Sequence, residues 1–74
     1  MMDEYRIEWT PELKRWVIWH NERGYIGEVD AMSGRFRAQV VVDGTTMAVA
    51  YGTTIKGMAE QVIWYDRAMN QEGE

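Results

Sequence analysis

The sequence contains no cysteine, one proline, one histidine and one serine among its 74 residues. Without cysteine, neither disulfides nor a thiolate metal site can supplement the core of so short a chain. The histidine, His20, and the serine, Ser33, lie in no nucleophile motif, and the acidic residues lack the loop spacing of a calcium site. We therefore expect no enzymatic activity, no cofactor and no metal.

Long apolar runs and basic residues are also scarce. No stretch approaches the length that crosses a membrane, and the first residues, MMDEYR, lack the apolar run of a signal peptide. We expect a cytoplasmic protein, of the encoding cell or of a host, that does not bind membranes. Eight lysines and arginines stand against twelve acidic residues, for a net charge of -4. The acidic excess lies at the two ends of the chain, and the basic surface of a nucleic-acid-binding protein is missing.

The clearest structural signal is the segment 34–51, GRFRAQVVVDGTTMAVAY. Its Asp-Gly pair at 43–44 stands between two alternating runs and predicts a two-residue hairpin loop. That loop puts the apolar residues of both runs on one face of the hairpin. The predicted pairs are Val42 with Thr45, Val40 with Met47, Ala38 with Val49 and Phe36 with Tyr51.

Alternation and β-branched or aromatic residues predict strands near 4–9, 14–20, 25–32, 35–42 and 45–51. After the last strand, Thr53 or Thr54 caps a predicted helix near 54–69, and a frayed tail follows over 70–74. A helix over 11–20 stays open as an alternative to the second strand. Thr10 and Pro11 could begin it, and the apolar residues behind them also have helical spacing.

These elements predict an α+β fold in one domain of residues 1–74. An antiparallel meander of five strands carries the C-terminal helix on one face. Small residues at 27, 31 and 38 leave a channel for that helix, so replacing Gly27 by leucine should overpack the core. On the opposite face, the register aligns charges of alternating sign, which favours the pairing. They are Glu8, Arg15, Asp30 and Arg37.

The sheet face that the helix leaves open is the predicted functional surface. The register places an apolar patch there, with arginines on either side, as in a protein interface with an apolar centre and a polar rim. Tryptophan is a favoured anchor of such interfaces. The alternative is that the patch only stabilises a small sheet. The predicted interface residues are Trp19, Ile26, Val41, Val17, Arg15 and Arg37.

Trp64 is a second candidate for partner binding, because helical spacing points it away from the core side of the last helix. The alternative is a surface aromatic that its neighbours hold in place. The leading hypothesis is thus a non-enzymatic protein that occupies the surface of a partner protein. Its size, acidic ends and lack of catalytic residues are typical of small inhibitors or adaptors. Phages encode such proteins against host defence or nucleic-acid-handling complexes, although no motif carries that assignment.

Residues 36–62 resemble the C-terminal half of a double-stranded RNA-binding domain. The shared pattern is an aromatic residue opening a strand, alternating valines, a glycine turn, and Gly-x-Thr before a helix. It falls on Phe36, Val40, Val42, Gly44, Gly52 and Thr54. The resemblance implies a first helix over 10–22 and duplex binding through lysines at the start of the last helix. At those positions, 55–59, this chain has only Lys56.

The segment 52–55, together with Gly24-Tyr25, also looks like antitoxins of the HicB type, which place a capped helix after a short sheet. Nucleic-acid binding is therefore the second hypothesis. A self-associating structural protein, such as a homodimer, is the third.

Overall fold

A computed structural model describes residues 4–70 of the chain, and this part holds five strands and one helix. The strands form one antiparallel sheet in the order of the chain, and the helix packs on one of its faces. The predicted α+β meander is confirmed. In chain order the elements are β1 (Tyr5–Thr10), β2 (Arg15–His20), β3 (Gly24–Met32), β4 (Arg35–Val42), β5 (Thr45–Gly52) and α1 (Ile55–Met69).

Residues 15–20 form a strand and not the alternative helix. Pairing on both sides, with β1 and β3, places β2 inside the sheet and buries Val17 and Ile18. A turn precedes the strand, in which the N–H of Lys14 donates to the oxygen of Thr10 at 2.8 Å. The helix over 10–22 that the RNA-binding resemblance implies is therefore a turn followed by a strand.

Two hairpins turn at Ser33-Gly34 and Asp43-Gly44. The φ angles are 51° and 79° in the first and 53° and 79° in the second. Positive φ at both positions identifies type I′ turns, whose twist matches that of the flanking strands. The pairs that the sequence predicts beside the second turn, Val42 with Thr45 and Val40 with Met47, are confirmed.

The predicted ladder fails farther from this turn, because a β-bulge shifts the register of β4 and β5. Beyond the shift, Ala38 pairs with Ala50 and not with Val49, and Arg37 pairs with Tyr51. The extra residue in β5 exchanges the faces of the residues that follow it. Tyr51 is therefore on the open face, and the prediction that it pairs with Phe36 on the core face is wrong.

A second bulge lies between β2 and β3. Ile18 pairs with Gly27 as predicted, but Trp19 pairs with Tyr25 and not with Ile26. The pairing of β1 with β2 also differs by two residues from the predicted one, since Ile7 lies opposite Ile18. Lys14 adopts a left-handed φ of 55°, which lets the strands continue to Thr10 and moves the turn one residue along the chain.

The core lies between α1 and the helix-side face of the sheet. The helix packs directly on Gly27, where a Cβ atom would lie 2.6 Å from Val62 Cγ1. This confirms that the helix crosses the sheet at that glycine. The core cluster consists of Tyr5, Ile18, Ile26, Val29, Ala38, Val40, Met58, Ala59, Val62 and Ile63.

A residue caps each end of α1. Thr54 is the N-cap, and its Oγ1 accepts a hydrogen bond of 3.0 Å from the N–H of Gly57. At the other end, the N–H of Asn70 donates to the oxygens of Asp66 and Arg67. Residues 71–74 of the predicted tail lie outside the described part. Within residues 4–70, α1 is too short and too polar to cross a membrane.

Candidate protein-binding face

The sheet face opposite α1, called the open face below, is built around two buried carboxylates on β3. Glu28 lies between Val17 of β2 and Gln39 of β4, and Asp30 lies opposite Arg37. Only 6% of Glu28 and 7% of Asp30 is exposed. Since the one helix of residues 4–70 packs on the other face, neighbouring side chains of the sheet itself bury both carboxylates.

Glu28 accepts hydrogen bonds on both carboxylate oxygens from side chains of all three central strands. Tyr25 donates its hydroxyl to Oε1 at 2.7 Å, and Gln39 Nε2 donates to Oε2 at 3.0 Å. Arg15 Nη1 donates to Oε2 and forms an ion pair with it. Burial raises the pKa of Tyr25 well above its usual range, and the hydrogen bond to Glu28 raises it further. The hydroxyl of Tyr25 is therefore protonated at neutral pH and donates to Glu28.

Asp30 holds Arg37 in a bidentate ion pair. Arg37 Nε donates to Oδ1 at 3.0 Å and Nη2 donates to Oδ2 at 2.6 Å. The hydrogen bonds to Asp30 raise the pKa of Arg37, and this effect outweighs the opposing effect of burial. The two planar groups fix each other's orientation, which a lysine at this position could not do.

Trp19 lies at one side of this network and is half-buried. Its ring contacts that of Tyr25 edge to face, with centroids 5.9 Å apart, and Arg6 Cζ lies 5.8 Å from the Trp19 ring centroid. Its indole Nε1 is buried and has no hydrogen-bond partner among the described residues. Tyr25 and Arg6 thus hold the Trp19 ring in place on the open face.

The apolar patch predicted on this face is not formed. Ile26 is 5% exposed and belongs to the core cluster under the helix, because the bulge beside Trp19 removes it from the open face. Val17 is 6% exposed beneath its neighbours, and Val41 is half-buried opposite Thr46. Arg15 and Arg37 are on the open face as predicted, and their role in binding stays a prediction.

The sequence interpretation missed Tyr25 and Tyr51, which the two bulges place on the open face. Glycine inside a strand often marks a bulge, so Gly27 next to Ile26 was an available signal. The run Ala48-Val49-Ala50 was a second one, since three small or apolar residues in succession break the alternation. No local signal indicates that Arg15 reaches Glu28, because this contact runs diagonally across the ladder.

Trp64 projects from the outer surface of α1, as its helical position predicts, and is 61% exposed. Its ring meets that of Tyr65 edge to face, with centroids 5.0 Å apart. A shallow cavity of about 200 Å³ lies beside it, lined by residues of the same helix. One of them, Arg67, has its Cζ 5.5 Å from the ring centroid of Tyr5.

A larger cavity of about 320 Å³ opens where β3 and β4 meet the end of α1. It contains Asp66, whose oxygens accept hydrogen bonds of 2.9 and 2.7 Å from Arg23 and one of 2.9 Å from Tyr5. These partners already satisfy the carboxylate, so it is a structural group that joins the helix to the sheet.

Most of the charges on the open face are paired. Arg6, Arg15 and Arg37 form ion pairs with Glu8, Glu28 and Asp30 in turn, and Arg35, opposite Met32 at the start of β4, is an exposed fourth arginine of this face. In the described range 4–70, no three histidine or acidic residues converge as metal ligands would. Compared with known proteins, the chain matches no family model, no curated protein and no solved structure.

Proposed function

We propose that the chain is a non-enzymatic protein that binds another protein through its open face. The observation that carries the proposal is that Glu28 and Asp30, buried on a face without a covering helix, hold Arg15 and Arg37 in place. Ordering long side chains adds to the entropic cost of association. Arginines that are ordered before binding reduce this cost.

The side chains around the two carboxylates are of the types that dominate binding energy at protein interfaces. Tryptophan, tyrosine and arginine are enriched among such residues. On the open face Trp19 contacts Tyr25, and Tyr51 lies opposite Arg37. This supports a polar, tyrosine- and arginine-rich interface in place of the apolar one that the sequence predicts. Inhibition of a host complex is a narrower form of this function and stays a prediction.

Nucleic-acid binding is the competing function, because arginines and aromatic rings on an open sheet also suit single-stranded nucleic acids. The ion pairs of the two central arginines argue against it. Arg15 and Arg37 are neutralised by buried acids, whereas phosphate contacts need cations that release counterions from the nucleic acid. We expect no gel shift with duplex or single-stranded RNA or DNA. Micromolar binding that weakens steeply with salt would favour this second function.

A photo-crosslinking amino acid at Tyr25 tests the proposal in extracts of the encoding organism or its host. We expect a discrete adduct with one protein species. Leu13 is the matched control position, because it is as exposed as Tyr25 or more so but lies in the turn before β2. A third variant carries the crosslinking amino acid at position 64, on the helix. Adducts formed by this variant alone would contradict the proposal and assign binding to α1.

Once the partner is captured, Trp19→Ala is expected to weaken binding by about 2 kcal/mol or more, measured by titration calorimetry. Trp64→Ala is the control and should bind normally. Trp16→Ala is expected to destabilise the fold more than Trp19→Ala, because Trp16 packs on the core and contacts both Trp9 and Phe36. Normal binding by a folded Trp19→Ala variant would contradict the role of this side chain.

A further inference from the structure

The two edges of the sheet differ in charge. β1 forms one edge and carries Arg6 and Glu8, whereas β5 forms the other edge and has the sequence TTMAVAYG, without any charged residue or proline. Charged residues and prolines are the usual means by which natural proteins prevent an edge strand from pairing with another chain. Within the described residues, no segment pairs with the outer side of β5.

The first half of β5 is the accessible part of this edge. Residues 45–48 are all exposed, whereas Val49 and Ala50 pack against the core. Met47 is 50% exposed although it shares the helix-side face with its partner Val40. The bulge at Val49 ends the regular edge, so a strand added to β5 would pair with residues 45–48.

We infer that β5 pairs with β5 of a second copy of this chain, antiparallel and around a two-fold axis at Met47. In an antiparallel ladder, the backbone groups of successive residues point alternately to the two sides. The two-residue loop makes Val42 and Thr45 the first bonded pair, so Thr46 and Ala48 direct their N–H and C=O groups outwards. With Met47 on the axis, Thr46 of each copy faces Ala48 of the other, and four backbone hydrogen bonds form.

This register also matches the side chains. Residues directly opposite each other in a ladder project from the same face, so the two Met47 side chains meet on the helix-side face and cover each other. The uncharged edge brings no like charges together. A charged partner strand would find no complementary charge on β5, which favours a second copy. The contact is small, so a weak, concentration-dependent dimer is expected. It does not rest on the function proposed above, because it uses none of the side chains that hold Glu28 and Asp30.

Sedimentation of the whole protein over a wide concentration range tests this inference. We expect the natural chain to shift from monomer to dimer as concentration rises, and Met47→Lys to stay monomeric because it places two positive charges at the axis. Leu13→Lys is the control, since Leu13 is also about half exposed, at 55%, and this variant should dimerise normally. A natural chain that stays monomeric at millimolar concentration, or a Met47→Lys variant that still dimerises, would overturn the inference.

Cysteine substitution gives a second measurement that does not depend on the folding of Met47→Lys. The chain contains no cysteine of its own. Opposed residues of a non-bonded antiparallel pair have Cα atoms about 4.5 Å apart, within disulfide range. Mild oxidation should therefore link Met47→Cys into a disulfide dimer much faster than Leu13→Cys. Equal rates for the two variants would overturn the inference.

Discussion

Gly27 determines how closely α1 can approach the sheet. A Cβ atom at this position would collide with the backbone oxygen of Gln39 and lie 2.6 Å from Val62 Cγ1. Neither a backbone oxygen in a ladder nor a fully buried valine can move away easily. We expect Gly27→Ala to lower the free energy of unfolding by about 1–3 kcal/mol, measured by urea denaturation, and Gly27→Leu to lower it further.

Gly52 provides the matched control for this prediction. A Cβ atom there would lie 2.6 Å from Met58 Cε, which is the end of a flexible side chain. Because methionine can adopt another rotamer, Gly52→Ala should cost clearly less than Gly27→Ala. Equal losses in the two variants would mean that the helix does not press on the sheet at Gly27.

Asp66 makes the stability of the protein sensitive to acid. Burial alone would raise the pKa of this carboxyl, but the hydrogen bonds from Arg23 and Tyr5 outweigh burial and hold the pKa below its usual value. A carboxyl whose pKa is lower in the folded state stabilises the fold above its unfolded pKa of about 3.9. This stabilisation is lost as the pH falls through the folded pKa.

Asp66→Asn should therefore be less stable than the natural chain at pH 7, by roughly 1–3 kcal/mol. Its stability should also decline less steeply below about pH 4, as thermal melts across a pH series would show. Asp43→Asn is the control, because Asp43 is exposed and asparagine suits the same turn. Parallel acid profiles for Asp66→Asn and the natural chain would contradict this role of Asp66.

At the level of elements, the cap of α1 is the most readily tested. Thr54 Oγ1 accepts a hydrogen bond from the N–H of Gly57, and α1 is the element that covers the core. Thr54→Ala is expected to lower the free energy of unfolding by about 1 kcal/mol. Thr53→Ala removes the same hydroxyl from an exposed position that is not the cap, and circular-dichroism melts should show little change for it. A similar loss for both variants would argue against this cap.

Each element could be predicted from the sequence because its signals are local. Alternation, the glycines of the turns and the threonine before the helix act over a few residues, and they indicated all five strands and α1. The register could not be predicted throughout, since the two bulges and the turn ending at Lys14 depend on packing across strands. A single extra residue at Val49 exchanged the face of Tyr51, which alternation alone does not reveal.

The candidate site was harder to predict than the fold, for the same reason. Helical spacing correctly placed Trp64 on the outer surface of α1, because no irregularity interrupts the helix. The sequence prediction placed Ile26 on the wrong face because the bulge next to it shifts the register. The hydrogen bonds to Glu28 depend on which neighbouring side chains are long enough to reach it. Side-chain reach across neighbouring strands is not encoded in the spacing of residues along one strand.

For the molecule as a whole, the strand order has a consequence for how the chain folds. Each strand pairs with the strand that precedes or follows it in the sequence. Such local pairing closes short loops, and chains dominated by local contacts fold faster than those with distant pairings. We therefore expect rapid folding for a sheet protein, with the β4–β5 hairpin and its type I′ turn forming early.

The hydrogen bond of 2.9 Å between Tyr5 and Asp66 is of a different kind, because it joins residues 61 positions apart. It ties β1 to α1, at opposite ends of the described chain, and can form only when the sheet and the helix have already assembled. Interactions absent from the transition state affect the rate of unfolding and leave the rate of folding nearly unchanged. Tyr5→Phe should therefore raise the rate of unfolding and leave the rate of folding nearly unchanged. In a stopped-flow chevron plot, the unfolding limb should move up while the slopes of both limbs stay the same. The contact between the two ends would then govern how long the native state persists.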